Sequence, residues 1–150
     1  MLQIAPVSSP AEAERLDELL WSTLWKLLGL PRNVRESFKL DGETLEWAAA
    51  IEGRIVGGLV AVWTGPDEIE LRHLAVAPDV QHQRIGQSLV ARLLDMAASR
   101  GCRRVHTIAR TTSAGFFRKL GFTPAPGNAP EHPVFKQHGI SLELMERKIG

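Results

Sequence analysis

Arg84 and Gly86 lie where the chain is predicted to leave a strand, cross a polar loop and enter a helix. The strand is predicted to end at Val76, and the apolar stripe of the helix to begin at Ile85. The first turn of a helix leaves backbone N–H groups without partners and carries the positive end of the helix dipole. Gly86 leaves room for an anion to approach the backbone, and Arg84 adds a positive charge. This pattern favours binding of an anionic group such as a pyrophosphate.

The loop does not match the common phosphate-binding motifs. It lacks the Gly-Lys-Ser/Thr of a P-loop, and Gly86 stands alone where a dinucleotide-binding loop has Gly-x-Gly-x-x-Gly. A nucleoside triphosphate or dinucleotide bound at the same helix end is one alternative. In another, Gly86 permits close packing of the helix and Arg84 is a solvated surface charge.

The strand before this loop, residues 69–76, carries titratable side chains at alternating positions. Successive side chains of a strand point to opposite faces of the sheet. One face is predicted to hold Glu70, Arg72, Leu74 and Val76, and the other Ile69, Leu71, His73 and Ala75. We therefore expect Glu70 and His73 on opposite sides of the sheet.

The rest of the sequence supplies the elements that must hold this strand and loop. Leucines at helical spacing follow Ser8, Ser9 and Pro10 up to Gly29, and a strand–helix–strand order around the loop predicts two parallel strands. Strands are predicted at residues 2–7, 45–51, 55–63, 69–76, 103–109 and 140–149. Helices are predicted from the start signal at residues 8–10 to residue 28 and at 32–40, 85–100 and 113–120, and a loop at 123–133. We predict a single α+β (α/β layered) domain, residues 1–150, built on a mixed sheet.

Composition narrows the functional classes. The 150-residue chain is 44% hydrophobic, and its net charge of +1 provides no bulk attraction to nucleic acid or to an anionic membrane. The single cysteine, Cys102, excludes an internal disulfide and a Cys-rich zinc site, and the five histidines lack metal-ligand spacing. No apolar stretch reaches the roughly 18 residues of a membrane-spanning helix. We expect a cytoplasmic protein without a metal.

Two motifs together resemble one family. The first is Leu74-Ala75-Val76-x-Pro78 followed by Gln81-x-x-Arg84-x-Gly86, and the second is Ala114-Gly115-Phe116-Phe117-Arg118-Lys119-Leu120-Gly121-Phe122. They are similar to the acetyl-CoA loop, Arg/Gln-x-x-Gly-x-Gly/Ala, and to the later Ala-x-x-Phe-Tyr-x-x-x-Gly-Phe helix of the GNAT superfamily of acyl-CoA-dependent N-acyltransferases. Arg84 departs from the usual first glycine of the loop. Phe117 departs from a usual tyrosine, and the chain contains no tyrosine.

The resemblance implies the GNAT acyl-CoA N-acyltransferase fold, a central mixed, mostly antiparallel sheet flanked by helices. It also implies that the backbone at residues 74–76 pairs with the pantetheine arm of acetyl-CoA and that amides at residues 81–87 hold the pyrophosphate. The residues expected at the cofactor are Leu74, Ala75, Val76, Gln81, His82, Gln83, Arg84, Ile85, Gly86, Gln87, Thr112 and Phe117. The alternative for Thr112 is a helix cap, and the alternative for Phe117 is a place in the core.

The resemblance further implies direct transfer of an acetyl group from acetyl-CoA to a primary amine of a small molecule or peptide. Glu70, four residues before Leu74, is the expected general base, and His73 is a second candidate. In the alternative interpretations, Glu70 pairs with Arg72, and His73 is a half-buried histidine satisfied by a backbone carbonyl. His106 has the same two interpretations as His73.

Three aromatic residues of the first quarter, Trp21, Trp25 and Phe38, are expected either in the core or around an acceptor pocket. A function of another class is a non-catalytic acyl-CoA-binding sensor or subunit, which the absence of tyrosine favours. The acceptor amine stays open because specificity lies in loops. The resemblance is also compatible with a homodimer.

Overall fold

The computed structural model describes residues 1–150 and places seven strands in one sheet. The strands are β1 (Leu2–Pro6), β2 (Thr44–Ile51), β3 (Arg54–Gly65), β4 (Glu68–Val76), β5 (Arg104–Arg110), β6 (Thr123–Pro124) and β7 (Leu142–Lys148). The helices are α1 (Pro10–Leu20), α2 (Ile85–Ser99), α3 (Ala114–Lys119) and α4 (Pro133–Gln137). The sheet order is β1-β2-β3-β4-β5-β7-β6, and only β4 and β5 pair in parallel. The predicted mixed, mostly antiparallel sheet flanked by helices is confirmed.

Helix α1 starts as its sequence predicts but ends earlier. Ser9 caps the helix by accepting a hydrogen bond from the amide of Glu12 at 3.1 Å, and Pro10 fills the first helical position. The prediction that one regular helix continues to residue 28 is wrong, because a π-turn (Trp21–Trp25) and a 3-10 turn (Lys26–Leu28) follow α1. The wider π-turn changes the phase of the helix and buries Trp25. The helix predicted at residues 32–40 is a shorter 3-10 turn, Val34–Phe38.

Helices cover both faces of the sheet. On one side, which we call the α2 face, Leu89, Leu93 and Phe117 belong to the main hydrophobic core. On the other side, the α1 face, Leu16 packs on Gly58 of β3. A Cβ atom at Gly58 would lie 2.1 Å from Cδ1 of Leu16. The absence of a side chain there allows α1 to approach the sheet.

A β-bulge interrupts β4 at Arg72. Val60 of β3 pairs with His73, and the next β3 residue, Ala61, pairs with Leu71. Arg72 is therefore an extra residue with no partner on β3. Such a residue shifts the alternation of side chains along the strand.

The bulge puts Glu70 and His73 on the same side of the sheet. Leu71 and Leu74 both contact the core of the α2 face. Glu70 and His73 instead line one cavity on the α1 face, where the His73 ring lies 5.0 Å from that of Trp25. The prediction that these two residues lie on opposite faces is wrong, because it assumed an unbroken strand.

Strands β4 and β5 separate halfway along their length. Their pairing runs from Glu68 and Arg104 to Leu71 and Thr107, although β4 continues to Val76. Beyond Leu71, the edge of β4 that faces β5 has no strand partner. This gap opens next to the start of α2 and is the main feature that the fold offers to a ligand.

The C-terminal part follows its prediction with one addition. Strand β7 lies inside the predicted strand at residues 140–149, and the predicted loop at 123–133 contains only the two-residue strand β6 before α4 begins. Helix α4 was not predicted. Among the helices of the structure, none is both long enough and apolar enough to cross a membrane.

Candidate active site

A cavity of about 300 Å³ lies where β4 and β5 separate. Its walls come from the bulged part of β4, the end of β5, the turns after α1, helix α3 and the segment around α4. The titratable residues that line it are Glu70, Arg72, His73, Arg110, Glu131 and His132. Trp25 and Phe38 form part of the wall, whereas Trp21 does not.

Glu70 is a buried carboxylate held by two cationic or proton-bearing partners. The residue is 7% exposed, Oε2 accepts a hydrogen bond from Arg72, and Oε1 lies 3.0 Å from Nε2 of His106. Burial alone would raise the pKa of the Glu70 carboxyl, but the hydrogen bonds from His106 and Arg72 outweigh it and hold that pKa below its usual range. Glu70 is therefore ionised at neutral pH and able to accept a proton. The predicted alternative, an ion pair with Arg72, is also present.

His106 connects Glu70 to the outside of the sheet. Nδ1 of His106 lies 2.9 Å from Oε1 of Glu68, so each ring nitrogen has a carboxylate within hydrogen-bond distance. Glu68 also pairs with Arg104, which bonds Glu146 through Nε at 2.6 Å. The sequence left the role of His106 open, because only the parallel register brings it beside Glu70.

His73 has a different environment from Glu70, although both line the cavity. Burial, together with the positive charges of Arg72 and Arg35, lowers the pKa of His73 to about 3. Its ring makes an edge contact with Trp25 and lies 6.3 Å from the ring of Phe38. His73 is therefore neutral at pH 7, and its ring is packed against aromatic rings.

The loop before α2 keeps its first amides free of backbone partners. The first hydrogen bond of the helix runs from the amide of Ser88 to the carbonyl of Arg84 at 3.0 Å, so the amides of Ile85, Gly86 and Gln87 have no backbone acceptor. Arg84 has φ +60° and His82 has φ +71°, a left-handed conformation that favours glycine. Arg84 therefore holds a backbone conformation that glycine adopts more easily.

Gly86 faces the second motif. A Cβ atom at Gly86 would lie 3.4 Å from Cζ of Phe116 and 3.7 Å from Cγ2 of Val76. The glycine thus lets Phe116 approach α2 closely, which agrees with the alternative prediction that Gly86 permits close packing of the helix.

The other residues expected at the cofactor occupy three environments. Leu74 lines the cavity, Ala75 is buried in the small core of the α1 face, and the carbonyl of Val76 accepts a long hydrogen bond from Gln81 Nε2 at 3.4 Å. The side chains at loop positions Gln81, His82, Gln83, Arg84 and Gln87 are exposed, whereas Ile85 is buried in the core of the α2 face.

The α3 motif contributes one wall of the cavity. Phe117 is 5% exposed, belongs to the core and also lines the cavity, so both of its expected environments are present. Thr112 is exposed and lies outside the cavity wall, which its neighbour Ser113 joins. Thr112 and Ser113 precede α3, but no side-chain hydrogen bond caps that helix, so the helix-cap alternative for Thr112 is wrong.

Neither Cys102 nor the residues that commonly bind metals form a second site. Cys102 is 3% exposed, and burial raises the pKa of its thiol, as fits a small apolar core residue. No group of three or more His, Cys, Asp or Glu side chains is arranged to hold a metal ion.

Arg110 is a cavity residue that the sequence did not predict. It lies at the end of β5, lines the cavity, and donates a 2.7 Å hydrogen bond from Nη2 to the carbonyl of Leu24. The contact spans 86 residues of chain, so no local pattern could have indicated it.

Comparison with known proteins assigns the family. The family model described as Acetyltransferase (GNAT) family matches residues 11–122. The chain is 35% identical over 75 residues to the probable N-acetyltransferase camello of Xenopus laevis, a match that covers 49% of this chain and 34% of that protein. The chain thus spans about a third of that relative.

Two solved structures share the whole fold. The ribosomal-protein-S18-alanine N-acetyltransferase from Escherichia coli has a TM-score of 0.78 at 19% identity, over 100% of this chain and 95% of that one. The PaiA N-acetyltransferase from Thermoplasma acidophilum, in complex with coenzyme A, has a TM-score of 0.74 at 18% identity, over 99% of each chain. Since the family model covers most of the sequence and both motifs lie within it, this chain belongs to the GNAT acetyltransferase family.

Proposed function

We propose that this protein is an acetyl-CoA-dependent N-acetyltransferase that transfers the acetyl group directly to a primary amine. The observation that carries the proposal is the position of Glu70, an ionised carboxylate inside the cavity at the point where β4 and β5 separate. We propose that residues 1–150 act as one catalytic domain.

The unpaired edge of β4 is the proposed site of the pantetheine arm. Backbone groups of Leu74, Ala75 and Val76 would bond it as an added strand does, because β5 has already turned away. The free amides at the start of α2 would hold the pyrophosphate, with Arg84 beside them. Coenzyme A in the Thermoplasma acidophilum relative supports an acyl-CoA ligand.

In the proposed reaction, the amine nitrogen attacks the acyl carbon, the carbon–nitrogen bond forms and the carbon–sulfur bond breaks. Glu70 accepts the proton that the amine loses, directly or through one water. A free backbone N–H near Leu74 polarises the thioester carbonyl. His73 then serves as a wall of the pocket, because its ring packs edge-on against Trp25.

His106 and Glu68 are proposed to hold the Glu70 carboxylate in place and ionised. Nε2 of His106 lies 3.0 Å from Glu70, and Nδ1 lies 2.9 Å from Glu68. The proton that Glu70 accepts is then released to solvent. The departing thiolate takes its proton from solvent, since Phe117 has no hydroxyl group.

A non-catalytic acyl-CoA-binding protein is the second candidate, and the observation in its favour is the phenylalanine at position 117. Both candidates predict binding of acetyl-CoA and coenzyme A. Only the first predicts release of free thiol when an amine is added.

The experiment is a thermal-shift titration with acetyl-CoA, coenzyme A and ATP, followed by a thiol-release assay with a panel of amines. A ligand at about 100 times its Kd should raise the melting temperature by about 5–10 °C. Stabilisation by both CoA ligands but not by ATP, with amine-dependent thiol release, supports the proposed function. Stabilisation without thiol release on any amine supports the binding protein, and no stabilisation by either CoA ligand contradicts both.

A further inference from the structure

Arg110 is a half-buried cation without an acidic partner. One nitrogen of its guanidinium bonds the carbonyl of Leu24, and the group lies 5.4 Å from the centre of the Phe135 ring. It forms no ion pair, unlike Arg72, which bonds the carboxylate of Glu70 in the same cavity.

Burial without an acidic partner destabilises the charged form of Arg110. Burial lowers the pKa of the Arg110 guanidinium, and no neighbouring carboxylate offsets that burial. The group stays protonated at neutral pH because a guanidinium is a very weak acid. Four of its five N–H donors are left over after the bond to Leu24. A carboxylate that entered the cavity would satisfy both the charge and two of those donors.

The position of Arg110 suits the acceptor rather than the cofactor. Alternate residues of a strand share a face, and Arg110 alternates with Ala109, which packs in the core of the α2 face. Arg110 therefore lies on the α1 face, away from the start of α2. It is four residues along β5 from His106, the register partner of Glu70, a distance of about 13 Å between Cα atoms.

The walls between these two ends are apolar. Trp25, Phe38, Phe135 and Leu142 line the cavity, and Ile108 lies on β5 between His106 and Arg110. Such walls favour an apolar or aromatic side chain. A cavity of about 300 Å³ is small, which favours a compact acceptor.

We propose that Arg110 binds the carboxylate of the acceptor, and that the acceptor is an amino acid with an apolar or aromatic side chain whose amine lies toward Glu70. This inference rests on the proposed function, since it names the amine that receives the acyl group. The competing role for Arg110 is a purely structural tether to Leu24.

The test compares two acceptors that differ by the carboxylate, L-phenylalanine and 2-phenylethylamine, with the wild type and with Arg110→Gln. For each protein, kcat/KM for L-phenylalanine is divided by kcat/KM for 2-phenylethylamine. Comparing this ratio between Arg110→Gln and the wild type cancels the difference in basicity between the two amines. Loss of a charge-assisted hydrogen bond predicts that Arg110→Gln lowers this ratio about 10- to 100-fold, mainly through KM for L-phenylalanine. Arg110→Lys should recover part of the preference, and exposed Arg103→Gln should leave it unchanged.

A merely structural tether predicts that Arg110→Gln reduces both acceptors equally, and that result overturns the inference. A wild type that prefers neither acceptor overturns it too. This second comparison needs no variant, so it holds even where Arg110→Gln does not fold.

A binding measurement separates this inference from the proposed function. In the presence of coenzyme A, N-acetyl-L-phenylalanine should stabilise the wild type against heat, and N-acetyl-2-phenylethylamine should do so at least 10-fold less well by apparent Kd. If no amine is acetylated but this difference is found, the proposed function fails and the Arg110 site stands. If amines are acetylated but the two products bind equally, the proposed function stands and the Arg110 site fails.

Discussion

Oε1 of Glu70 lies 3.0 Å from Nε2 of His106, across the one parallel strand pair of the sheet. The register of β4 against β5 sets this contact, because Glu70 and His106 are direct partners in that pairing. The pairing ends one residue later, and the cavity begins there. The same short ladder therefore fixes the proposed base and opens the space in which it acts.

The hydrogen bond from His106 helps to hold the pKa of Glu70 below its usual range. Replacing His106 by phenylalanine should raise the pKa of Glu70, because the burial of the carboxyl is then less well compensated. The acidic limb of the kcat/KM profile should move to higher pH, since Glu70 must be ionised to accept a proton. The measurement is a pH–rate profile with the exposed-residue variant His138→Gln as control. An unmoved acidic limb would argue against a link between His106 and the base.

The low pKa of His73 should make the fold sensitive to acid. Its pKa falls from 6.5 to about 3 on folding, so the unfolded chain binds a proton between these values and the folded protein does not. The stabilisation is complete above pH 6.5 and is lost as the pH falls, by about 2 kcal/mol between pH 6.5 and pH 5. His73→Phe should remove that part of the pH dependence, which urea unfolding at pH 7 and pH 5 measures. An equal loss in wild type and variant would show that His73 is not responsible.

The left-handed backbone at Arg84 should cost stability. Its φ of +60° is unfavourable for a residue with a Cβ atom, whereas glycine adopts it freely. Arg84→Gly should therefore raise the free energy of unfolding by about 0.5–1 kcal/mol. Arg84→Gln removes the charge but keeps the Cβ atom, so it should give no such gain. Equal effects of the two substitutions in thermal or urea unfolding would rule out backbone strain as the cause.

Gly58 and Gly115 form a matched pair of glycine-to-alanine tests. A methyl group at Gly58 meets Leu16 at 2.1 Å, whereas one at Gly115 in α3 has no heavy atom within 4 Å. Gly58→Ala should destabilise the fold by about 1–3 kcal/mol through overpacking under α1. Gly115→Ala should stabilise it by about 0.5–1 kcal/mol through helix propensity. Urea unfolding measures the free energy of unfolding of both variants. An unchanged value for Gly58→Ala would mean that α1 does not pack on β3 as described.

Most helices and strands could be predicted from the spacing of hydrophobic residues and from turn residues. The site, however, depends on two backbone irregularities that neither pattern indicates. Residues 69–76 alternate as an unbroken strand does, so the bulge at Arg72, and with it the shared face of Glu70 and His73, follows only from pairing with β3. The π-turn that buries Trp25 likewise replaces a run of residues that reads as ordinary helix. His106 and Arg110 acquire their surroundings from contacts with residues 36 and 86 positions away. Glu70 and the α2 loop could be found because each is local and resembles a known motif.

The most direct test of the account is thiol release from acetyl-CoA by the wild type, Glu70→Gln and the exposed control Glu52→Gln, on one accepted amine. Loss of the proposed base should lower kcat at least about 100-fold. The Kd for coenzyme A should stay the same, because Glu70 lies on the α1 face, away from the amides at the start of α2. Glu52→Gln should match the wild type in both measurements. A Glu70→Gln variant that keeps wild-type kcat and an unchanged pH profile would contradict the assignment of Glu70 as the base.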